Sequence, residues 1–280
     1  MKTAVVTGAN SGMGKITANA LMEKGYELII VCRSAEKGQA TLKELKERFP
    51  EGKVELMLAD LSSVKEVQRL GEEIKKRLSS LDVLVNNAGA INSSREETVD
   101  GYERTFATNH LAYFQLGNAL VDLLKKSPDG RMVNIASMAQ WLGKLEWDDL
   151  QMKKKYNGLQ AYCNSKMMNI MYTYALADRL QGTNVKVNAV HPGGVNTSFG
   201  KNSAGVIGFW AKKLEWTMRS AEKGADTAIW LAVSEEAAQY SGLYFTSRKP
   251  VRSRLETYRV ENLEKLWSRS EELINAKLQH

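Results

Sequence analysis

Short apolar segments alternate with longer amphipathic segments along the whole chain. Seven runs that are rich in β-branched residues predict strands, and most are almost continuously apolar, as in a parallel sheet covered on both faces. They span residues 3–7, 27–32, 54–58, 81–86, 132–137, 185–191 and 243–245. Helical periodicity predicts helices over residues 13–24, 35–49, 64–78, 102–126, 159–180, 221–233 and 261–278.

This alternation predicts the α/β class: a single doubly wound Rossmann-type domain over residues 1–280, with a mainly parallel seven-stranded sheet and helices on both faces. Two longer connections interrupt the pattern, an inserted loop at about 138–158 and a segment at about 193–219. Both follow carboxyl ends of predicted strands, where open α/β sheets bind ligands. We therefore expect a substrate lid at 193–219.

Composition narrows the class of protein further. The 280 residues include 43% apolar residues and only two cysteines, Cys32 and Cys163, so the chain needs no disulfide framework and a reducing compartment is expected. Three histidines argue against a histidine-based metal site, and no metal is predicted. No apolar run reaches the ~18 residues of a membrane span, and a strand at the start leaves no room for a secretion signal. The predicted location is the cytoplasm.

The formal charge of +7 is compatible with attraction to anionic small molecules. The basic residues are dispersed, however, with local excesses only at 153–155 and 248–259. No nucleic-acid motif accompanies either excess, and both are interpreted as solvated surface. We predict no nucleic-acid partner.

A glycine cluster, Gly8-Ala9-Asn10-Ser11-Gly12-Met13-Gly14, follows the first predicted strand and leads into a helix. Glycines let the backbone turn tightly beside a phosphate, and the helix N-terminus presents N–H groups and a positive dipole end to it. The spacing differs from the usual dinucleotide pattern, and such a cluster can also be a simple turn. Its place at the first strand-to-helix junction favours a dinucleotide cradle. The predicted contacts are Gly8, Asn10, Ser11, Gly12, Met13 and Gly14.

The residue after the second predicted strand bears on which dinucleotide binds. A carboxylate there would hydrogen-bond the adenine ribose, whereas this chain has Arg33, whose planar fork can clamp a 2′-phosphate, with Lys15 adding charge nearby. NADP(H) is therefore favoured over NAD(H). Alternatively, Arg33 caps the following helix or is neutralised by Glu36.

Four further positions suggest proton chemistry. Tyr162 and Lys166 are four residues apart in a predicted helix and share a face, so the ammonium can lower the phenol pKa from its usual ~10. Such a pair alone often lies on the protein surface without a function. Ser137 ends the fifth predicted strand, where its hydroxyl could hold a substrate carbonyl oxygen or cap a turn. Asn109 lies mid-helix despite poor propensity, which indicates either a function or a buried hydrogen bond.

Together these residues resemble the short-chain dehydrogenase/reductase family over nearly the whole chain. The matching pieces are the segment 7–14, Asp60-Leu61, Asn86-Asn87-Ala88-Gly89, Asn109, Ser137, Tyr162 with Lys166, and His191-Pro192-Gly193. The resemblance implies that Tyr162 is the acid/base and that Lys166 lowers its pKa and contacts the nicotinamide ribose. It also implies that Ser137 orients the substrate oxygen and that Asn109 helps to hold a water of the proton relay.

The remaining cofactor contacts are implied by the resemblance alone. Asp60 would meet the adenine with Leu61 at its flank, and Asn87, Ala88 and Gly89 would line the adenosine side. Pro192, Gly193, Val195 and Thr197 would frame the nicotinamide and nearby phosphate contacts.

A closer similarity is to the retinol-dehydrogenase-like branch of that family. It is carried by residues 141–160, 180–185 and 266–273. Many members of the branch begin with a membrane-anchoring segment, which this sequence does not show. Four of the six tryptophans, at 141, 147, 210 and 216, fall in the two long connections, where they either shield an apolar substrate or pack ordinarily.

The function predicted from these observations is an NADP(H)-dependent oxidoreductase that interconverts a carbonyl and an alcohol, with a bulky apolar aldehyde or ketone as substrate. The alternative is an NADPH-sensing interaction or scaffold protein. Relatives often pair through the helices corresponding to 102–126 and 159–180, so a homodimer or homotetramer is an expectation.

Overall fold

The sheet is visible in a computed structural model that describes residues 2–192 and 221–279. Its strands are β1 (Thr3–Thr7), β2 (Glu27–Cys32), β3 (Val54–Leu58), β4 (Val83–Asn86), β5 (Arg131–Ile135), β6 (Lys186–Val190), β7 (Leu243–Thr246) and β8 (Lys249–Pro250). They form one sheet in the order β3-β2-β1-β4-β5-β6-β7-β8. The chain reverses its direction of travel across the sheet between β1 and β4, which creates a crevice at their carboxyl ends.

Strands β1 to β7 pair in parallel, which confirms the predicted fold class. The predicted count of seven strands was one too low, because β8 adds an antiparallel edge to β7. Between them, Ser247 and Arg248 both have positive φ, 50° and 59°. A two-residue strand that contains Pro250 has no periodicity to detect, and proline in a sheet is tolerated mainly at an edge.

The helices also follow the predicted pattern, with end points shifted by one or two residues. They are α1 (Gly12–Glu23), α2 (Ala35–Arg48), α3 (Val64–Arg77), α4 (Arg104–Phe106), α5 (Ala112–Lys126), α6 (Gly158–Arg179), α7 (Ala221–Val233) and α8 (Val260–Leu278). The predicted helix 102–126 is interrupted by a π-helical turn, Ala107–Leu111, which joins α4 to α5. The loop at 138–158 begins with a short 3₁₀ helix, Met138–Leu142. In the part of the chain described, no helix has the length and apolar character required to cross a membrane.

Two apolar layers cover the two faces of the sheet. In β1, Ala4 and Val6 face the layer formed with α1 and α7, whereas Val5 faces the layer formed with α3, α5 and α6. Consecutive strand residues point to opposite faces, so a strand buried on both faces must be apolar at nearly every position. This packing explains the continuous apolar runs in the sequence.

Helix α8 lies across α5 and α6 and completes the second layer. Its Trp267 ring lies 4.8 Å from the Phe114 ring and 6.1 Å from the Tyr172 ring, centroid to centroid. The Arg179 guanidinium lies 3.8 Å from the Trp267 centroid and also donates to Glu264 at 2.6 Å. Helix α8 covers part of the surface of α5 and α6 through which we expected subunits to pair. The homo-oligomer stays a prediction.

We expect Trp267→Ala to lower the free energy of unfolding by about 3 kcal/mol, because it removes a large ring from an aromatic and cation–π cluster. The measurement is urea denaturation of the purified protein. Glu271→Ala, at an exposed position of the same helix, is the matched control and should change stability by less than about 0.5 kcal/mol. Equal stability of the two variants would show that α8 is not anchored by this ring.

Candidate active site

The glycine cluster forms a tight loop between β1 and α1. Gly8 and Gly12 have φ of 66° and 52°, in the left-handed region that favours glycine. A Cβ on Gly14 would lie 2.3 Å from the Gly8 carbonyl oxygen. Position 14 must therefore be glycine for the first turn of α1 to pack on the loop. The Ser11 side chain makes no capping hydrogen bond, and the first turn of α1 contains no acidic residue. The start of this helix therefore fits an anion such as a pyrophosphate.

Asn87 and Thr7 lock this loop to the segment that follows β4. The Thr7 hydroxyl accepts the N–H groups of Asn87 at 2.9 Å and Ala88 at 3.0 Å. In return, the Asn87 side-chain amide donates to the carbonyl oxygens of Thr7 at 2.8 Å and Gly8 at 3.3 Å. The carboxyl ends of β1 and β4 are thus fixed relative to each other at the switch point of the sheet.

Arg33 is exposed just beyond β2. Ser34, not Arg33, caps α2, because its hydroxyl accepts the Lys37 N–H at 3.3 Å. Within residues 2–192 and 221–279, no hydrogen bond or ion pair joins Arg33 to Glu36 or to any other group. Lys15 pairs instead with Glu44 of α2. The guanidinium of Arg33 is therefore available to an external anion, whereas the charge of Lys15 is already partnered.

The other predicted cofactor contacts that the structure describes lie just after strands β3, β4 and β6. The Asp60 carboxylate accepts the Ser62 N–H at 2.9 Å and the Ser62 hydroxyl at 2.8 Å, so it stabilises its own turn beyond β3. Leu61 is buried, Ala88 and Gly89 follow β4, and Pro192 follows β6. Gly193, Val195, Thr197 and the lid expected at 193–219 lie outside the described residues.

Ser137, Tyr162 and Lys166 converge at the carboxyl end of β5. Ser137 caps the 3₁₀ helix by accepting the Ala139 N–H at 3.1 Å, and it also hydrogen-bonds the Tyr162 hydroxyl. The Lys166 Nζ atom lies 5.7 Å from the centroid of the Tyr162 ring and donates to the Ile135 carbonyl at 2.9 Å. The Ser137 hydroxyl therefore both caps the 3₁₀ helix and is the group that we expect to orient a substrate oxygen.

Burial dominates the proton equilibria of this cluster. It raises the pKa of the Tyr162 hydroxyl to about 12, and the hydrogen bond with Ser137 acts in the opposite direction. It also lowers the pKa of the Lys166 ammonium to about 7. The net shift of the phenol pKa is upward, opposite to the lowering that we expected from Lys166, so the phenol is protonated at neutral pH and can donate a proton.

Asn109 lies in the π-helical turn, and both polar atoms of its side-chain amide make hydrogen bonds within the protein. Its Oδ1 atom accepts the Ala90 N–H at 2.7 Å, and its Nδ2 atom donates to the Ala90 carbonyl at 2.9 Å and to the Ser165 hydroxyl at 3.0 Å. Ser165 in turn donates to the Tyr162 carbonyl at 2.8 Å. The buried hydrogen bonds that we considered from the sequence are present, while the role of Asn109 in a water relay stays a prediction.

Comparison with known proteins identifies the family. The family model described as short chain dehydrogenase matches residues 2–205. The chain is 37% identical to retinol dehydrogenase 13 of Homo sapiens over 98% of this chain and 84% of that protein, and 35% identical to human retinol dehydrogenase 12 over 99% and 87%. It belongs to the short-chain dehydrogenase family. The predicted resemblance is confirmed, including the retinol-dehydrogenase-like branch, and the chain is an oxidoreductase of this family.

Two solved structures are similar to this chain over most of its length. A crystal structure of an uncharacterized protein from Mycobacterium paratuberculosis superposes with a TM-score of 0.79 at 29% identity, over 98% of this chain and 94% of that one. A protein from Beutenbergia cavernae, described as an NAD(P)-dependent gluconate 5-dehydrogenase with bound NADP at low occupancy, gives a TM-score of 0.70 at 26% identity, over 87% and 94%.

Several residues beside the predicted catalytic groups were missed from the sequence. Asn169 donates to the same Ile135 carbonyl as Lys166, at 3.2 Å. The buried Tyr113 ring lies 5.7 Å from Lys166 Nζ. Ser165 connects Asn109 to α6. The spacing of 162, 165, 166 and 169 places these polar residues along one face of α6, a signal that helical periodicity could have revealed.

The buried Lys166 should make stability depend on pH. Its pKa falls from the usual 10.5 to about 7 on folding, so between these values the unfolded chain binds more protons at this position than the folded chain. Stability therefore rises with pH through this window. We expect the unfolding free energy of the native protein, minus that of Lys166→Met, to increase from about pH 7 to about pH 10 in urea titrations. The exposed Lys46→Met is the control for the loss of a surface lysine, and a difference for Lys166→Met that does not change with pH would contradict the assignment.

Proposed function

We propose that this protein is an NADP(H)-dependent oxidoreductase that transfers a hydride between the nicotinamide and a carbonyl or alcohol, with a bulky apolar aldehyde or ketone as substrate. One observation carries the proposal. Ser137 and Tyr162 share a hydrogen bond above the buried Lys166, at the strand-end edge that also holds the glycine loop. A donor pair for one substrate oxygen and a cradle for a dinucleotide therefore occupy the same crevice.

The residues present fit a dinucleotide. The N-terminus of α1 and the loop from Gly8 to Gly14 would hold its pyrophosphate, and Arg33, which has no partner among the described residues, would hold a 2′-phosphate. Asp60 and Leu61, with Asn87, Ala88 and Gly89, would line the adenosine side. Pro192 and the undescribed Gly193, Val195 and Thr197 would frame the nicotinamide. The NADP bound to the similar Beutenbergia cavernae protein supports this assignment.

When bound, the nicotinamide supplies or accepts the hydride. The chain's own groups manage the accompanying proton. In carbonyl reduction the Tyr162 hydroxyl donates its proton to the substrate oxygen, while the Ser137 hydroxyl hydrogen-bonds that oxygen and fixes its position. The Lys166 ammonium, held by the Ile135 carbonyl, stabilises the phenolate that remains. Alcohol oxidation uses the same groups in the reverse sense, and Asn109 would support the relay that restores the proton.

The proposed substrate class rests on apolar side chains beside Ser137. Met138, Trp141 and Leu142 follow it directly, with exposed fractions of 54%, 46% and 65%. An apolar molecule with one polar oxygen would cover these side chains while its oxygen meets Ser137 and Tyr162. The relatives named retinol dehydrogenases favour such a molecule. Trp147 instead packs against the core, and Trp210 and Trp216 lie outside the described residues.

Tyr162→Phe should bind NADPH with unchanged affinity and lose at least about 100-fold in turnover, because the general acid is removed while the ring is retained. The measurements are NADPH fluorescence titration and cofactor oxidation with aldehydes, ketones, quinones and retinoids. Tyr240→Phe, which removes a phenol remote from Ser137, serves as the control. Near-normal turnover by Tyr162→Phe would refute the mechanism, and NADPH binding by the native protein without any turnover would favour the scaffold alternative.

Arg33→Glu should raise KM for NADPH by about 10- to 100-fold and leave KM for NADH much less affected, because a charge-assisted contact to the 2′-phosphate becomes a repulsion. Steady-state kinetics with both cofactors and one carbonyl substrate measure the effect. Lys37→Glu makes the same change of charge at an exposed position of the adjacent α2 and should alter neither KM by more than about twofold. An equal change for both cofactors would remove Arg33 from cofactor selection.

A further inference from the structure

The 3₁₀ helix Met138–Leu142 carries Ser137 at its start, so its position sets the position of the Ser137 hydroxyl. Helices of this type have poorer hydrogen-bond geometry than α-helices and persist only in short pieces. Five residues therefore cannot hold their own place beside the active site. Contacts from elsewhere in the fold must fix this helix.

Arg254 supplies those contacts from the segment that follows β8. Its backbone N–H donates to the side-chain oxygen of Gln140 at 3.1 Å, and Gln140 is completely buried. Its guanidinium donates to the carbonyl oxygens of Trp141 at 3.2 Å and Gly143 at 2.6 Å. These carbonyls lie at the C-terminal end of the 3₁₀ helix, where groups lack partners within the helix and a positive charge is favourable.

The guanidinium is itself held in place. The Glu256 carboxylate accepts from Nε at 2.9 Å and from Nη2 at 3.0 Å, which is a two-point contact of fixed geometry. The adjacent Ser253 hydroxyl hydrogen-bonds the hydroxyls of Tyr174 at 2.8 Å and Thr257 at 2.7 Å. Tyr174 belongs to α6, so Arg254 is anchored to the helix that carries Tyr162 and Lys166.

The opposite side of the 3₁₀ helix is also tied to α6. The Gln160 side-chain amide donates to the Leu142 carbonyl at 2.9 Å, and Asn164 Oδ1 accepts the Lys144 N–H at 2.7 Å. The helix that begins at Ser137 is therefore clamped between α6 and Arg254. The family model matches residues 2–205, so the Arg254 half of the clamp comes from a part of the chain beyond the matched region.

We propose that Arg254 is a positioning residue for the reaction: it fixes the 3₁₀ helix Met138–Leu142 and thereby holds the Ser137 hydroxyl beside Tyr162. The catalytic part of this inference rests on the proposed function, in which Ser137 orients the substrate oxygen. The clamp itself is a structural property that can be measured without substrate.

The first experiment follows amide hydrogen exchange of residues 138–143 in the native protein, Arg254→Met, Arg254→Lys and Arg252→Met. Arg254→Met should exchange at least about tenfold faster in this segment, because the carbonyl contacts of the guanidinium are lost. Arg254→Lys keeps a cationic donor without the fork and should fall in between. Arg252→Met removes a neighbouring exposed arginine and should match the native protein. Unchanged exchange in Arg254→Met would overturn the proposal.

The second experiment tests the effect on catalysis with a double-mutant cycle. Arg254→Met should lower kcat for carbonyl reduction by about 10- to 100-fold, as expected when a reacting group is misplaced, while the Kd for NADPH changes by less than about twofold. In the Ser137→Ala background the same substitution should have almost no further effect on kcat, because the group it positions is already gone. An equal loss in both backgrounds would refute positioning through Ser137.

Glu256→Gln gives a second route to the same question should Arg254→Met fail to fold. It frees the guanidinium from its carboxylate and should accelerate exchange at 138–143 and lower kcat, each by less than Arg254→Met is expected to do. No change in either would overturn the clamp. Were the native protein to turn over no carbonyl or alcohol, the proposed function would fail, whereas the exchange experiment would still decide whether Arg254 fixes the helix.

Discussion

The hydrogen bond from the Lys166 ammonium to the Ile135 carbonyl joins the end of β5 to α6, the helix that carries the proposed acid/base Tyr162. Ile135 is the last residue of β5, and Ser137 follows two positions later. The same bond therefore fixes the amine relative to the strand end that leads into Ser137. A charged amine inside a protein is costly to bury, so it needs a partner of good geometry. The centroids of the Tyr113 and Tyr162 rings each lie 5.7 Å from its Nζ atom.

Around this bond, buried polar side chains fasten the irregular segments that leave each strand. Thr7 and Asn87 join the ends of β1 and β4, and Asn109 joins the segment after β4 to α6 through Ser165. Backbone groups in such segments lack the ladder partners of a strand and would otherwise stay unsatisfied in the interior. The side chains of Thr7, Asn87 and Asn109 each satisfy two backbone groups, so the crevice keeps its shape. The main effect of these buried polar residues is therefore to fix the positions of the segments that line the crevice.

Most of the fold could be predicted from the sequence because its signals are local. Strands buried on both faces must be continuously apolar, and the helices between them show one apolar stripe, so elements such as β1, β2 and α2 were predicted almost to the residue. The pair Tyr162 and Lys166 was evident because four residues make one helical turn. The strand β8 and the π-helical turn at Asn109 had no comparable period, and their identity depends on packing against distant parts of the chain. Arg254 was missed for the same reason, since it meets Gln140 across 114 positions of sequence.

Helix α8 gives the molecule an order of assembly. Translation proceeds from the amino terminus, so α5 and α6 leave the ribosome well before the helix that covers Phe114 and Tyr172. Until then an aromatic surface is exposed, and His110 in the π-helical turn lacks the hydroxyl of Ser270 that it meets at 2.9 Å. A nascent chain with a complete sheet therefore still exposes this aromatic surface and lacks the contact between His110 and Ser270. The synthesis of one late helix both shields that surface and secures the turn beside Asn109.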